Sequence, residues 1–136
     1  MKATTNIAGK VLIAMPDMDD ARFDRSVILL CAHSEDGAMG LRINLPTEDV
    51  ALSDLAQQLD LDRVPAFHDR PVHSGGPVEQ ERGFVLHTAD YASAISTLAV
   101  TPEIGMTGTL DVIEDLVDGS GPETALICLG YCGWGP

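Results

Sequence analysis

Cys31 and His33 stand two apart in the apolar stretch SVILLCAHS. On a strand that spacing turns both side chains to one face, as a pair of zinc ligands requires. Cys128 and Cys132 could complete a tetrahedral set, but no CxxC pair is present and a glycine bend separates them. Each cysteine sits in apolar sequence, so the expectation is three reduced, buried thiols and no metal. In PDMDDARFDRS, Asp17 and Asp19 match the first two ligands of a calcium loop. Ala21, Arg22 and Ile28 then occupy the places of a third ligand, the obligatory glycine and the bidentate acid, so the motif fails. Arg25 is expected to be held by Asp24 or a neighbouring acid.

Nucleophilic chemistry would need Ser26 or Ser74 beside one of His33, His68, His73 and His87. There is no G-x-S-x-G elbow, and His73 adjoins Ser74 in sequence, which seldom gives the required approach in space. No catalytic residue is assigned. His87, closing RGFVLH, reads as a strand-terminal histidine bonded to a backbone carbonyl. Gly75-Gly76 could present backbone N–H groups to an anion, but Pro77 after them favours a turn. GxGxxG and a phosphate-loop lysine are absent, and no cofactor is expected. The lone Trp134 and Tyr131, set among Gly130, Gly133 and Gly135, read as packing plugs or partner anchors. The candidate ligand or partner surface is therefore Arg25, Ser74, Gly75, Gly76, His87, Tyr131 and Trp134.

The elements that would position these residues follow from apolar pattern and turn chemistry. Residues 9–15 read as a strand stopped by Pro16, and Asp36-Gly37 joins strands 26–33 and 38–44 into an antiparallel hairpin. Thr47 opens a helix as its cap, with Glu48 and Asp49 in the first turn and Leu52, Leu55, Ala56 and Leu59 at helical spacing. Val72-His73 leads into the Gly75-Gly76-Pro77 bend, and further strands are expected at 82–87, 94–101 and 124–129. A second helix runs from Thr109 to Asp118, with Leu110, Ile113, Leu116 and Val117 on one face and Gly119 stopping it. About six strands and two helices, partly paired as hairpins, point to an α+β fold with a mixed, largely antiparallel sheet.

Composition narrows the function classes. The chain has 136 residues, enough for one core, and is 45% hydrophobic but only 4% aromatic. Twenty-one acidic against eight basic side chains leave a net charge of −13. Such a surface repels phosphate backbones and anionic membranes, and no two basic residues are adjacent. Direct nucleic-acid binding and membrane attachment are disfavoured. The apolar runs fall far short of the roughly 20 residues of a spanning helix, and the N-terminus lacks a secretory signal. The expected setting is the cytoplasm and the expected partner is another protein.

Six blocks, GKVLIAMP (9–16), FDRSVILLC (23–31), EDGAMGLRIN (35–44), SGGPV (74–78), RGFVLH (82–87) and LGYCGWGP (129–136), together resemble the YqgE/AlgH family of bacterial proteins. Cys132 stands where the family commonly has alanine, and Arg42 where an aliphatic residue is usual. The resemblance implies a single α+β domain over 1–136 with a small, partly closed β-barrel flanked by helices. It carries a label of transcriptional regulation and no catalytic residue. Family members also continue past G-Y-x-G-W-G, so this chain is expected to be C-terminally shortened. Apolar surface near Leu129, Tyr131 and Trp134 would then be exposed or self-associating.

Overall fold

The hairpin expected around Asp36-Gly37 forms as β2 (Val27–Ser34) and β3 (Gly37–Arg42), with Leu29 opposite Leu41 and His33 opposite Ala38. A bulge between Leu30 and Ala32 leaves Cys31 as the extra residue of β2. These observations come from a computed structural model that describes residues 8–14, 25–61, 69–93, 97–122 and 124–135. The acidic loop, Asp24 and His68 lie outside the described residues.

Nine strands and two helices occur among the described residues. β1 (Val11–Ile13) lies outside β2, and β3 is followed across the sheet by β9 (Ala125–Trp134), β6 (Val78–Thr88), β8 (Ile104–Thr107) and β7 (Leu98–Thr101). β5 (Pro71–Ser74) pairs parallel with β9 and antiparallel with β4 (Pro46–Ala51). All other strand pairs are antiparallel. The sheet curls until Gly9, just before one edge strand, reaches Thr101 on the other, giving the partly closed barrel.

Alternation along β6 and β9 divides the core. Val85 and Ile127, directly paired, turn to one face and pack with Leu52 and Ala56 of α1 (Leu52–Gln58) and with Val112, Ile113, Leu116 and Val117 of α2 (Asp111–Asp118). Phe84, Leu86 and Cys128 turn the other way and join Leu29, Cys31, Leu41 and Val100 inside the curl. A strand covered on both faces must be apolar throughout, which is why FVLH and ALICL show no polar alternation.

Four expectations need correction. The helix expected from Thr47 starts only at Leu52, because residues 46–51 form β4. Thr47 Oγ1 donates to the carbonyls of Val72 (2.7 Å) and Val50 (3.0 Å) and so caps nothing. The Asp54 carboxylate instead accepts the Ala51 N–H at 2.8 Å. The strand expected to close at Thr101 does so as β7, but Pro102 then turns the chain into β8, a strand that was not expected. β9 continues beyond Leu129 to Trp134, since Gly130 (φ +78°) lets the chain bend without leaving the sheet. Leu110, expected on the buried face of α2, precedes it and is 61% exposed.

Candidate functional site

SGGP crosses β9 where β5 meets it. Ser74 pairs with Leu129, and Gly75 N–H donates to the Leu129 carbonyl at 2.8 Å while Gly75 O accepts Arg42 N–H at 2.8 Å. The Gly75 amide is thereby used inside the fold. A methyl group on Gly75 would stand 2.4 Å from the Gly130 oxygen, and one on Gly76 would stand 2.2 Å from the Tyr131 carbonyl carbon. The glycine pair is required by this close backbone crossing, a stronger constraint than the turn expected from Pro77.

Arg42 organises the same region. Although only 8% exposed, its guanidinium donates from Nε to the Ser74 carbonyl (2.9 Å), from one terminal nitrogen to Ser74 Oγ (3.1 Å) and from the other to Ser26 Oγ (3.3 Å). Burial of a guanidinium demands such satisfaction of its donors. Sequence reasoning marked Arg42 only as a departure from the family pattern. Its place after Leu41 in a strand between apolar neighbours was the available signal.

The three thiols are buried and free. Burial pushes Cys31 up to about 12 and Cys128 up to about 12, the latter helped by the negative charge Cys31 would carry. Cys132 is also raised by burial, against the pull of the nearby Arg42 cation. Cys132 Sγ donates to the Gly75 carbonyl at 3.5 Å and Cys128 Sγ to that of Arg42 at 3.9 Å. These groups are protonated packing residues, unlike the low-pKa thiolates that attack substrates or bind metals.

His87 sits apart, opposite Ala125 and Gly105. Its Nδ1 bonds the Thr88 carbonyl at 2.9 Å, an acceptor, so Nδ1 carries the proton. Nε2 then accepts from Thr107 Oγ1 at 2.8 Å, Thr107 accepts from Thr97 Oγ1 at 2.8 Å, and Thr97 accepts from Ser93 N–H at 2.7 Å. The carbonyl bond expected of His87 is present, and the threonine relay beyond it was not foreseen. Ser93 and Thr109 hydroxyls both donate to Asp111 and hold its carboxyl below the usual range. Nearby, burial and the Asp115 carboxylate raise the Tyr91 phenol, whose hydroxyl donates to Asp115.

The remaining candidates scatter. Arg25 is exposed, has φ +55° and offers its carbonyl to Asn44 Nδ2 at 2.9 Å. Tyr131 meets Phe84 edge-on at 5.8 Å. Trp134, opposite Ala38, flanks a shallow groove with His33, Asp36 and Met39. The structure thus brings Ser74, Gly75, Gly76 and Tyr131 together and sets His87 and Trp134 towards opposite ends of β9. Leu129, Tyr131 and Trp134 are half-buried, whereas Val11, Leu12 and Ile13 are exposed. His73 Nδ1 is buried without a hydrogen-bond partner among the described residues, and burial lowers its pKa. No helix among the described residues is long and apolar enough to cross a membrane.

The AlgH-like family profile matches residues 11–136. A UPF0301 protein of Cereibacter sphaeroides (strain ATCC 17029) is 53% identical over 131 residues, covering 96% of this chain and 71% of that protein. One from Paracoccus denitrificans (strain Pd 1222) is 49% identical over 138 residues, covering 100% and 73%. The solution structure of the AlgH protein from Pseudomonas aeruginosa superposes with a TM-score of 0.78 at 40% identity, covering 99% of this chain and 71% of that one. A crystal structure of a Corynebacterium diphtheriae protein gives 0.72 at 23% identity, over 100% and 70%, a likeness of fold.

Proposed function

The chain belongs to the AlgH-like family, and on the geometry above we propose that it is a non-catalytic regulatory or protein-interaction module of the cytoplasm. The observation that carries this reading is that the polar groups of Ser74, Gly75 and His87 are engaged internally. Ser74 is held by Arg42, the Gly75 amide by Leu129, and both His87 nitrogens by Thr88 and Thr107. Anion binding at Gly75-Gly76 has less support, since its first N–H is already bonded. Any effect on transcription would pass through a partner, because a net charge of −13 opposes contact with DNA phosphates.

The test is reconstitution. A protein recovered on the immobilised folded chain, and not on the heat-unfolded chain, is purified and mixed back. The reading expects a complex of fixed stoichiometry that alters the partner's activity. Substrate turnover by the chain alone, lost in Ser74→Ala or His87→Gln variants that remain folded, would overturn it.

A further inference from the structure

β1 is an edge strand of unusual character. Its three residues, Val11, Leu12 and Ile13, are all apolar and all exposed, Ile13 by 74%. Natural edges of this kind are normally blunted by charge, because unpaired amides beside apolar side chains invite another strand. The hydrogen-bond register fixes which amides are open. Leu30 N–H donates to the Lys10 carbonyl and Ala14 N–H to the Ser26 carbonyl, with Leu12 paired to Ile28 between them. Antiparallel bonding alternates, so Lys10, Leu12 and Ala14 face β2 while Val11 and Ile13 direct N–H and C=O outward. Among the described residues no strand pairs with that outer edge; contact with β7 is made at Gly9, before β1 begins.

From this arrangement we infer that β1 is a docking strand for an extended segment of another protein, one that alternates apolar with basic residues. The inference rests on the interaction-module reading and names its surface. Strand addition supplies main-chain bonds from Val11 and Ile13, and apolar side chains of the partner cover the exposed Val11–Ile13 row. Charge selects the partner. A chain of net charge −13 repels a second copy of itself and steers a cationic segment towards its surface. Lys10 at the strand's start adds one local cation, a small term beside the excess of acids.

Three labelled peptides test this by fluorescence anisotropy: one alternating lysine and valine, the same peptide with every amide N-methylated, and one alternating glutamate and valine. The lysine peptide binds. The N-methylated analogue, with equal charge and side chains but no amide donors, binds at least roughly tenfold more weakly, as does the lysine peptide to an Ile13→Lys variant. The glutamate peptide does not bind. Amide exchange slows at Val11 and Ile13 on binding and is unchanged at Leu12. Equal binding of the N-methylated peptide, or unslowed exchange at Val11 and Ile13, overturns the inference. So does a wild-type dimer in light scattering that Ile13→Lys abolishes, since the occupant is then a second copy. If the peptides fail while the whole chain still forms its reconstituted complex, the docking strand is wrong and the module reading stands.

Discussion

Gly76 and Gly130 meet backbone to backbone: a Cβ on Gly130 would lie 2.4 Å from the Gly76 carbonyl oxygen. Gly130 also holds φ +78°, which any side chain disfavours. Gly130→Ala therefore combines a steric overlap that neither backbone can relieve with left-handed strain. It should destabilise the fold by about 2 kcal/mol or more. Urea unfolding measures this directly, and a loss within experimental error of zero would mean that the crossing is loose.

Arg42 ties Ser26 on the approach to β2 to Ser74 at the end of β5. Arg42→Ala leaves both serines short of a donor and opens a void, costing about 2–4 kcal/mol. Arg42→Leu keeps much of the volume and removes a buried cation that is costly to desolvate, so its cost should be less than half of that. Equal losses for the two variants would assign the residue's importance to its charge.

The buried thiols make the fold sensitive to alkali. Free cysteine ionises at 9.0, while folded Cys31 and Cys128 ionise at about 12. The unfolded chain therefore loses these protons first. Their contribution is complete below pH 9.0 and fades as pH climbs from 9.0 towards about 12. Unfolding midpoints recorded across that range should fall, and more steeply for wild type than for Cys31→Ala or Cys128→Ala. Below pH 9.0 a thiol-specific dye should label the native chain slowly and the unfolded chain fast.

Thr107 is buried between His87 and Thr97 and serves both. Thr107→Val keeps the shape and removes the hydroxyl, leaving His87 Nε2 without its donor. A loss of about 1–3 kcal/mol follows, measured by denaturant titration. In Thr107→Ser, which keeps the hydroxyl, most of that loss should be absent.

The hairpin around Asp36-Gly37 and the helix ending at Gly119 were legible because each is set by neighbours in the chain. β4 was not. Thr47 followed by two acids is a sound local cap, but Val72, distant in sequence, offers its carbonyl to the same hydroxyl. β8, four residues long, lacks enough length for alternation to show. The candidate residues were partly legible for a similar reason. Glycine, serine and histidine were recognised as special, but what makes them so is a crossing with β9 and a threonine relay, both assembled from segments far apart. Arg42 was hidden because a buried cation is intelligible only once its serines are in place.

β9 is bonded to β3, β5 and β6, all of which precede it in the chain. A ribosome delivers those three with their partner edge still bare. Cooperative folding must wait for the strand that joins them, and contacts of such long sequence separation form slowly. During synthesis the edges that β9 will join therefore stay unpaired until residue 134 has cleared the exit tunnel.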